Sequence, residues 1–151
     1  MNVKIKDIKI KVRAILDELV TAGTIGKVNA DSIADPLHLK SASYPVAVLM
    51  PTLISQSLHS DNCSHDRVYT VGIALVFNNA NKADKMDEID DTVETVMDYL
   101  DERLTLDGDL QGGWVEPTTT QPYTFEGSKD KIAVDIILNI HTIRQFSYQG
   151  Q

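Results

Sequence analysis

Asp84-Lys-Met-Asp-Glu-Ile-Asp-Asp-Thr-Val-Glu-Thr-Val-Met-Asp-Tyr-Leu-Asp-Glu-Arg-Leu104 is the stretch from which the fold follows. Met86, Ile89, Val93, Val96, Met97, Leu100 and Leu104 recur at helical spacing, so a helix of about six turns carries one apolar stripe along its length. The rest of it is almost all acid. Asp84, Asp87, Glu88, Asp90, Asp91, Glu94, Asp98, Asp101 and Glu102 are balanced only by Lys85 and Arg103; nine acids against two bases leave −7 of the chain's formal −8 on this one element. Acids in the first turn complement the positive end of the helix dipole, whereas those further along repel one another. Such a helix either covers a sheet with its charges solvated, or presents a negative face that repels one class of molecule and meets a basic partner.

Working outward toward the N-terminus, Val68 to Phe77 places Val71, Ile73, Leu75 and Phe77 on one face and Thr70, Gly72, Ala74 and Val76 on the other, the pattern of a strand. Before it, His59-Ser-Asp-Asn-Cys-Ser-His-Asp66 reads as a polar loop. The apolar run Pro45-Val-Ala-Val-Leu-Met-Pro51 is bracketed by prolines and reads as a strand near a sheet edge, which Leu53 to Leu58 continues after a bend. Ile8, Val12, Ile15, Leu16 and Leu19 mark an amphipathic helix from Asp7 to Ala22, with Asp7 as a cap and Gly23 as its stop. Val3, Ile5, Ile8, Ile10 and Val12 also alternate, so the first residues read as extended. Between these elements, Ile25 to Val28 suits a short strand and Asn29 to Ser43 an irregular connection containing Pro36.

Toward the C-terminus, Thr105 to Pro117 is rich in turn-forming residues and predicts a long exposed loop. Gln121 to Glu126 and Lys131 to Ile143 then predict a hairpin joined through Gly127-Ser-Lys-Asp130. The second strand alternates through Ile132, Val134, Ile136, Leu138 and Ile140, and would run about 40 Å, far beyond an ordinary strand. Either it bends over its own domain or its outer end meets a neighbouring subunit. Residues 144–151 read as a flexible polar tail that a partner would order. Helix, strands, helix, strands without βαβ alternation predicts an α+β fold. The expected architecture is a single domain over residues 1–151, with a mainly antiparallel sheet of about four to five strands and two main helices on one side.

Composition narrows the function. At 151 residues and 42% hydrophobic, the chain suits one core, and its −8 argues against a surface built to grip phosphates. Bases gather only at Lys4, Lys6, Lys9, Lys11 and Arg13, which with Asp7 give the first thirteen residues +4. That arm pairs with acids on a neighbouring copy or is simply solvated. The one cysteine, Cys63, cannot form an intrachain disulfide, and no apolar run approaches the length of a membrane span. A soluble intracellular protein is expected, with no membrane partner.

No catalytic constellation stands out. His59, Asp61, Cys63, His65 and Asp66 offer metal-binding atoms, but within eight residues and without the spaced pairs that build a zinc site; an ordinary mobile loop is the better reading than a metal site or a Cys-His nucleophile pair. Asp107-Gly-Asp109-Leu-Gln111-Gly112 opens like a calcium loop, yet the twelfth position is Thr118, where a bidentate glutamate is needed. None of the helix carboxylates falls on the apolar stripe, where burial would tune one for acid-base work. Trp114 reads as a core cap or an interface anchor. The expectation is a non-enzymatic protein without metal or cofactor, with a small metal-binding enzyme as the lesser alternative.

Tyr44-Pro45-Val-Ala-Val, the Val68 to Phe77 strand, the acidic helix and Pro122-Tyr-Thr-Phe-Glu-Gly-Ser-Lys-Asp-Lys-Ile-Ala-Val-Asp-Ile-Ile-Leu138, taken together, resemble the tail terminator proteins of long-tailed bacteriophages, also called tail completion, minor tail or neck proteins. The resemblance is one of length, acidity and element order over nearly the whole chain. It implies a small α/β domain that assembles into a hexameric ring, caps the tail tube, ends its polymerisation and offers a surface to the head connector. The implied partners are further copies of the chain, the major tail tube protein and the head-tail connector protein, with DNA only passing through the lumen. The implied location is the tail-head junction of a phage or prophage-derived virion, after synthesis in the host cytoplasm. Another connector component, a stopper or a tube-like subunit, would share the element pattern. Candidate contact residues under this reading are Lys9, Lys11 and Arg13 on the basic arm, and His59, Asp61, His65 and Arg67 in and beside the polar loop. Asp91 and Glu94 on the acidic helix, Trp114, and Phe146 and Tyr148 on the tail complete the set.

Overall fold

The computed structural model describes residues 4–29, 44–50, 52–58, 64–78, 84–106, 114–125 and 128–145. In chain order they form α1 (Ile5–Thr21), β1 (Lys27–Asn29), β2 (Val46–Leu49), β3 (Leu53–Leu58), β4 (Ser64–Phe77), α2 (Lys85–Leu106), β5 (Trp114–Thr119), β6 (Tyr123–Phe125) and β7 (Ser128–Gln145). The α+β expectation holds. One path of five strands, β1-β2-β4-β7-β5, runs through the sheet, and β3 on β4 and β6 on β7 bring it to seven. All pairings are antiparallel except that of β1 with β2.

β4 and β7 are the spine. They pair from Ser64 with Gln145 to Phe77 with Ile132. The length of β7, 18 residues, is accommodated inside the chain. β4 lies along one edge, while β6 and then β5 share the other. The alternative that its outer end needs a neighbouring subunit is therefore not required by the strand's length. Arg144 and Gln145, read from the sequence as tail, belong to β7.

Both helices pack on one face. Ile8, Val12, Ile15, Leu16 and Leu19 of α1 and Ile89, Val93, Val96 and Leu100 of α2 join Val71, Ile73, Leu75 and Phe77 of β4 and Val134, Ile136, Leu138 and Ile140 of β7 in one buried cluster. The alternation over these strands therefore assigned the faces correctly. On the second face a smaller cluster of Val46, Val76 and Ala133 is buried, with Tyr44 and Val48 packed against it.

Several local expectations shift. Helix α1 begins at Ile5, two residues before Asp7, and its cap is Lys4, with no side-chain cap bond. The alternation of Ile5 to Val12 thus gives way to the 3.6-residue period, because the longer stripe to Leu19 buries far more apolar surface. Gly23 does end it: at φ +83° it lets its own N–H reach Val20 O (3.1 Å) and that of Thr24 reach Leu19 O (3.0 Å). β2 does lie near an edge, with only the three-residue β1 paired beyond it. β3 continues along β4 with one surplus residue: Leu49 faces Ile73 and Leu53 faces Thr70, so four steps on one strand match three on the other. In that break Met50 donates its N–H to Gly72 O (2.9 Å), and its methyl occupies the space a Cβ on Gly72 would need. The polar loop ends sooner than expected, as Ser64, His65 and Asp66 are already strand. Trp114 to Thr119, expected in a loop, is β5, and Pro117 is tolerated because β5 is an edge strand that has no partner beyond it in the sheet order.

Two polar anchors hold the hairpin. Lys131, buried, donates from Nζ to Asn78 Oδ1 (2.5 Å) and Asp130 Oδ2 (3.1 Å) and lies 5.0 Å from the centre of the Tyr44 ring. Tyr123 Oη donates to Asp135 Oδ1 (2.8 Å), and burial together with this bond pushes its pKa up to about 12. Folding therefore favours the neutral phenol. The resulting stability is complete below pH ~10 and is lost as pH rises from ~10 through ~12. Tyr123→Phe is expected to cost about 0.5–1 kcal/mol at pH 7, toward the low end because the ring is part-exposed. That difference should shrink between pH 10 and 12, measured by urea titration of both proteins at each pH.

Candidate functional site

An open groove of about 620 Å³ lies between α2 and the connection from β5 to β6. Helical spacing builds one wall. Asp90, Glu94 and Asp98, at i, i+4 and i+8, line it with their carboxylates, and Val93 and Met97 lie beside them toward the sheet. Thr119, Thr120, Gln121 and Pro122 form the other wall, with Val134 of β7 at the bottom. That second wall is held to the sheet: Thr120 N–H donates to Asp135 O (3.0 Å), and Asp135 N–H donates to Thr120 Oγ1 (3.2 Å). No lining residue is basic.

The bases of α2 lie elsewhere. Arg103 sits 4.8 Å from the ring centre of Tyr99, whose hydroxyl donates to Glu18 Oε2 of α1 (2.6 Å). That bond to a carboxylate raises the pKa of Tyr99. Lys85 pairs with Glu88 at 3.3 Å. The helix is thus divided: one flank meets α1 and holds Arg103, and the other opens on the groove with acids alone.

The structure distributes the sequence-derived candidates. Lys9 and Arg13 are exposed on α1 and Lys11 is half-buried. Asp91 and Glu94 are exposed on α2, and only Glu94 of the two lines the groove. Arg67 is half-buried on β4, where Nε (2.8 Å) and Nη2 donate to Gln56 Oε1 of β3 and Nη1 reaches Tyr69 Oη (3.4 Å), so it stitches two strands together. His65 stands opposite Arg144 and Trp114 opposite His141 in the strand registers. His59, Asp61, Phe146 and Tyr148 lie outside the described residues, as do most of the polar loop and of the calcium-like segment. Asp90 and Asp98, Thr119 and Thr120 were missed by the sequence reading; the i, i+4, i+8 row of acids was a visible signal, but nothing in the sequence placed the threonines against it.

Among the described residues no group of three His, Cys, Asp or Glu could hold a metal ion, and no helix is long and apolar enough to cross a membrane. The arrangement is suited to recognising surfaces. A row of carboxylates above an apolar floor accepts a cationic, partly apolar segment and repels phosphate.

The fold and the groove together define an α+β domain whose charged features sit on open surfaces. No protein-family model matches the chain, and no curated protein matches it significantly. Among solved structures, it is similar to a chain of the virion of a native gene transfer agent (GTA) particle, with a TM-score of 0.55 and 14% identity over 90% of this chain and 94% of that one. At that identity the likeness is one of fold, and it extends over nearly the full length of both chains.

Proposed function

We propose that this chain is a structural component of a phage-type particle, and within such a particle the tail terminator. The observation that carries this reading is the near end-to-end correspondence in fold with a chain of the GTA virion. The exposure of the described acids along α2 supports it. In this role copies of the chain close into a ring, hexameric in the resemblance drawn from the sequence, on the end of the tail tube. The ring stops further addition of the major tail tube protein and presents its other side to the head-tail connector. The concentrated negative charge of α2 suits a structure near moving DNA, because carboxylates repel phosphates where lysines would hold them.

The test is tube assembly. A major tail tube protein from the same genome is allowed to polymerise with and without this chain, and the products are viewed by negative-stain electron microscopy. The expected result is short tubes carrying a ring at one end and a halt in elongation at substoichiometric amounts. Long tubes with bare ends overturn the terminator role. Tubes formed by this chain itself favour a tube subunit instead, and binding only to the portal side favours a stopper.

A further inference from the structure

Helix α1 has an unusual outer face. Its buried stripe runs through Ile8, Val12, Ile15, Leu16 and Leu19, and directly opposite stands Ile10, 58% exposed, bordered on one flank by Lys6, Lys9 and Arg13 and on the other by Asp7, all exposed. An exposed isoleucine with a row of cations along one flank is the chemical complement of the groove on α2, where Asp90, Glu94 and Asp98 line the wall together with Val93 and Met97. We propose that the groove receives the outer face of α1 from a second copy of this chain, with Ile10 over the apolar floor and the cations along the acid row. This rests on the ring reading above and names the surfaces that make the ring.

Dimensions and topology agree. Asp90 to Asp98 spans eight residues of helix, about 12 Å, and Lys6 to Arg13 seven, about 10.5 Å, so the acid row and the cation row are of similar length. Within one chain, α1 packs on one flank of α2 and on β1, while the groove opens on the flank toward β5. The two surfaces do not overlap. Each copy can therefore give α1 to one neighbour and its groove to another, the heterologous contact from which rings are built.

Carbodiimide cross-linking of full-length protein, mixed equally from nitrogen-15 and natural-abundance preparations, tests the contact. Mass spectrometry should find Lys6 and Lys9 joined to Asp90, Glu94 or Asp98 between chains, with yields falling when sodium chloride rises from 0.05 to 0.5 M. The charge-reversed pair K6E/K9E and the pair E94K/D98K should each weaken self-association at least tenfold in sedimentation analysis. An equal mixture of the two should restore it as 1:1 complexes, which also shows that both variants fold. Inter-chain products absent or mapping to other faces overturn the proposal, as does association of either variant equal to the parent's. Capped tubes without these cross-links reject the docking and leave the terminator reading standing; these cross-links with uncapped tubes do the reverse.

Discussion

Leu138→Ala should remove about 3–4 kcal/mol of folding stability, while Ile137→Ala, one residue earlier, should remove only about 1 kcal/mol. Leu138 is fully buried on the central strand β7, between the helices and the sheet, and truncation there loses transfer free energy and leaves a cavity in a close-packed core. Ile137 points to the other face, opposite Gly72 and Thr118, where it is only partly covered and neighbouring side chains can close the gap. With total stabilities of about 5–15 kcal/mol usual for a domain, the first substitution takes a large share and the second a small one. Urea denaturation followed by circular dichroism measures both. Equal losses would mean that β7 is buried alike on its two faces, against the one-sided placement of the helices.

The triple substitution Asp90→Asn, Glu94→Gln, Asp98→Asn should act in opposite directions on stability and assembly. In the free chain these acids neighbour each other at i, i+4 and also face Asp87, Asp91, Asp101 and Glu102 at helical spacings. Each like-charged pair costs about 0.2–0.5 kcal/mol, so neutralising the row should raise stability by about 1–2 kcal/mol at low salt. The gain should fade as salt approaches ~0.5 M, where exposed charges are screened within a few ångströms. Self-association should weaken at least tenfold in the same protein, because the row would no longer attract the cations of α1. Thermal unfolding and sedimentation read the two effects. A loss of stability on neutralisation would show that the carboxylates serve the fold of the single chain, and their role in docking would have to be abandoned. A charge row that costs the folded chain stability is a feature expected where function demands it.

The elements that were legible in the sequence share one property, that their evidence is local. The stripes of α1 and α2 have a period set by the helix, the alternation in β4 and β7 a period set by the strand, and Gly23 stands where only a positive φ ends the helix cleanly. Errors arose where a distant partner decided the outcome. Trp114-Val-Glu-Pro-Thr-Thr119 looks like a loop because of Pro117, and becomes a strand because β7 offers it an edge on which the missing N–H of that proline costs nothing. Ser64 to Asp66 looks like loop from its polar side chains, yet its backbone is drawn into the ladder by residues 143 to 145 of the far strand.

The chain's own order of residues determined the fold class, the two helices, the hairpin and the placement of nearly all net charge on one helix, because periodicity and charge are properties of neighbouring residues. Only the tertiary structure decided that the longest strand is satisfied from within, that β1 and β2 run parallel, and that three of the nine acids overlook an apolar groove. The reason is that strand ladders and grooves form between segments tens of residues apart, where hydrogen bonding and burial in three dimensions choose among pairings that leave no mark in any one segment.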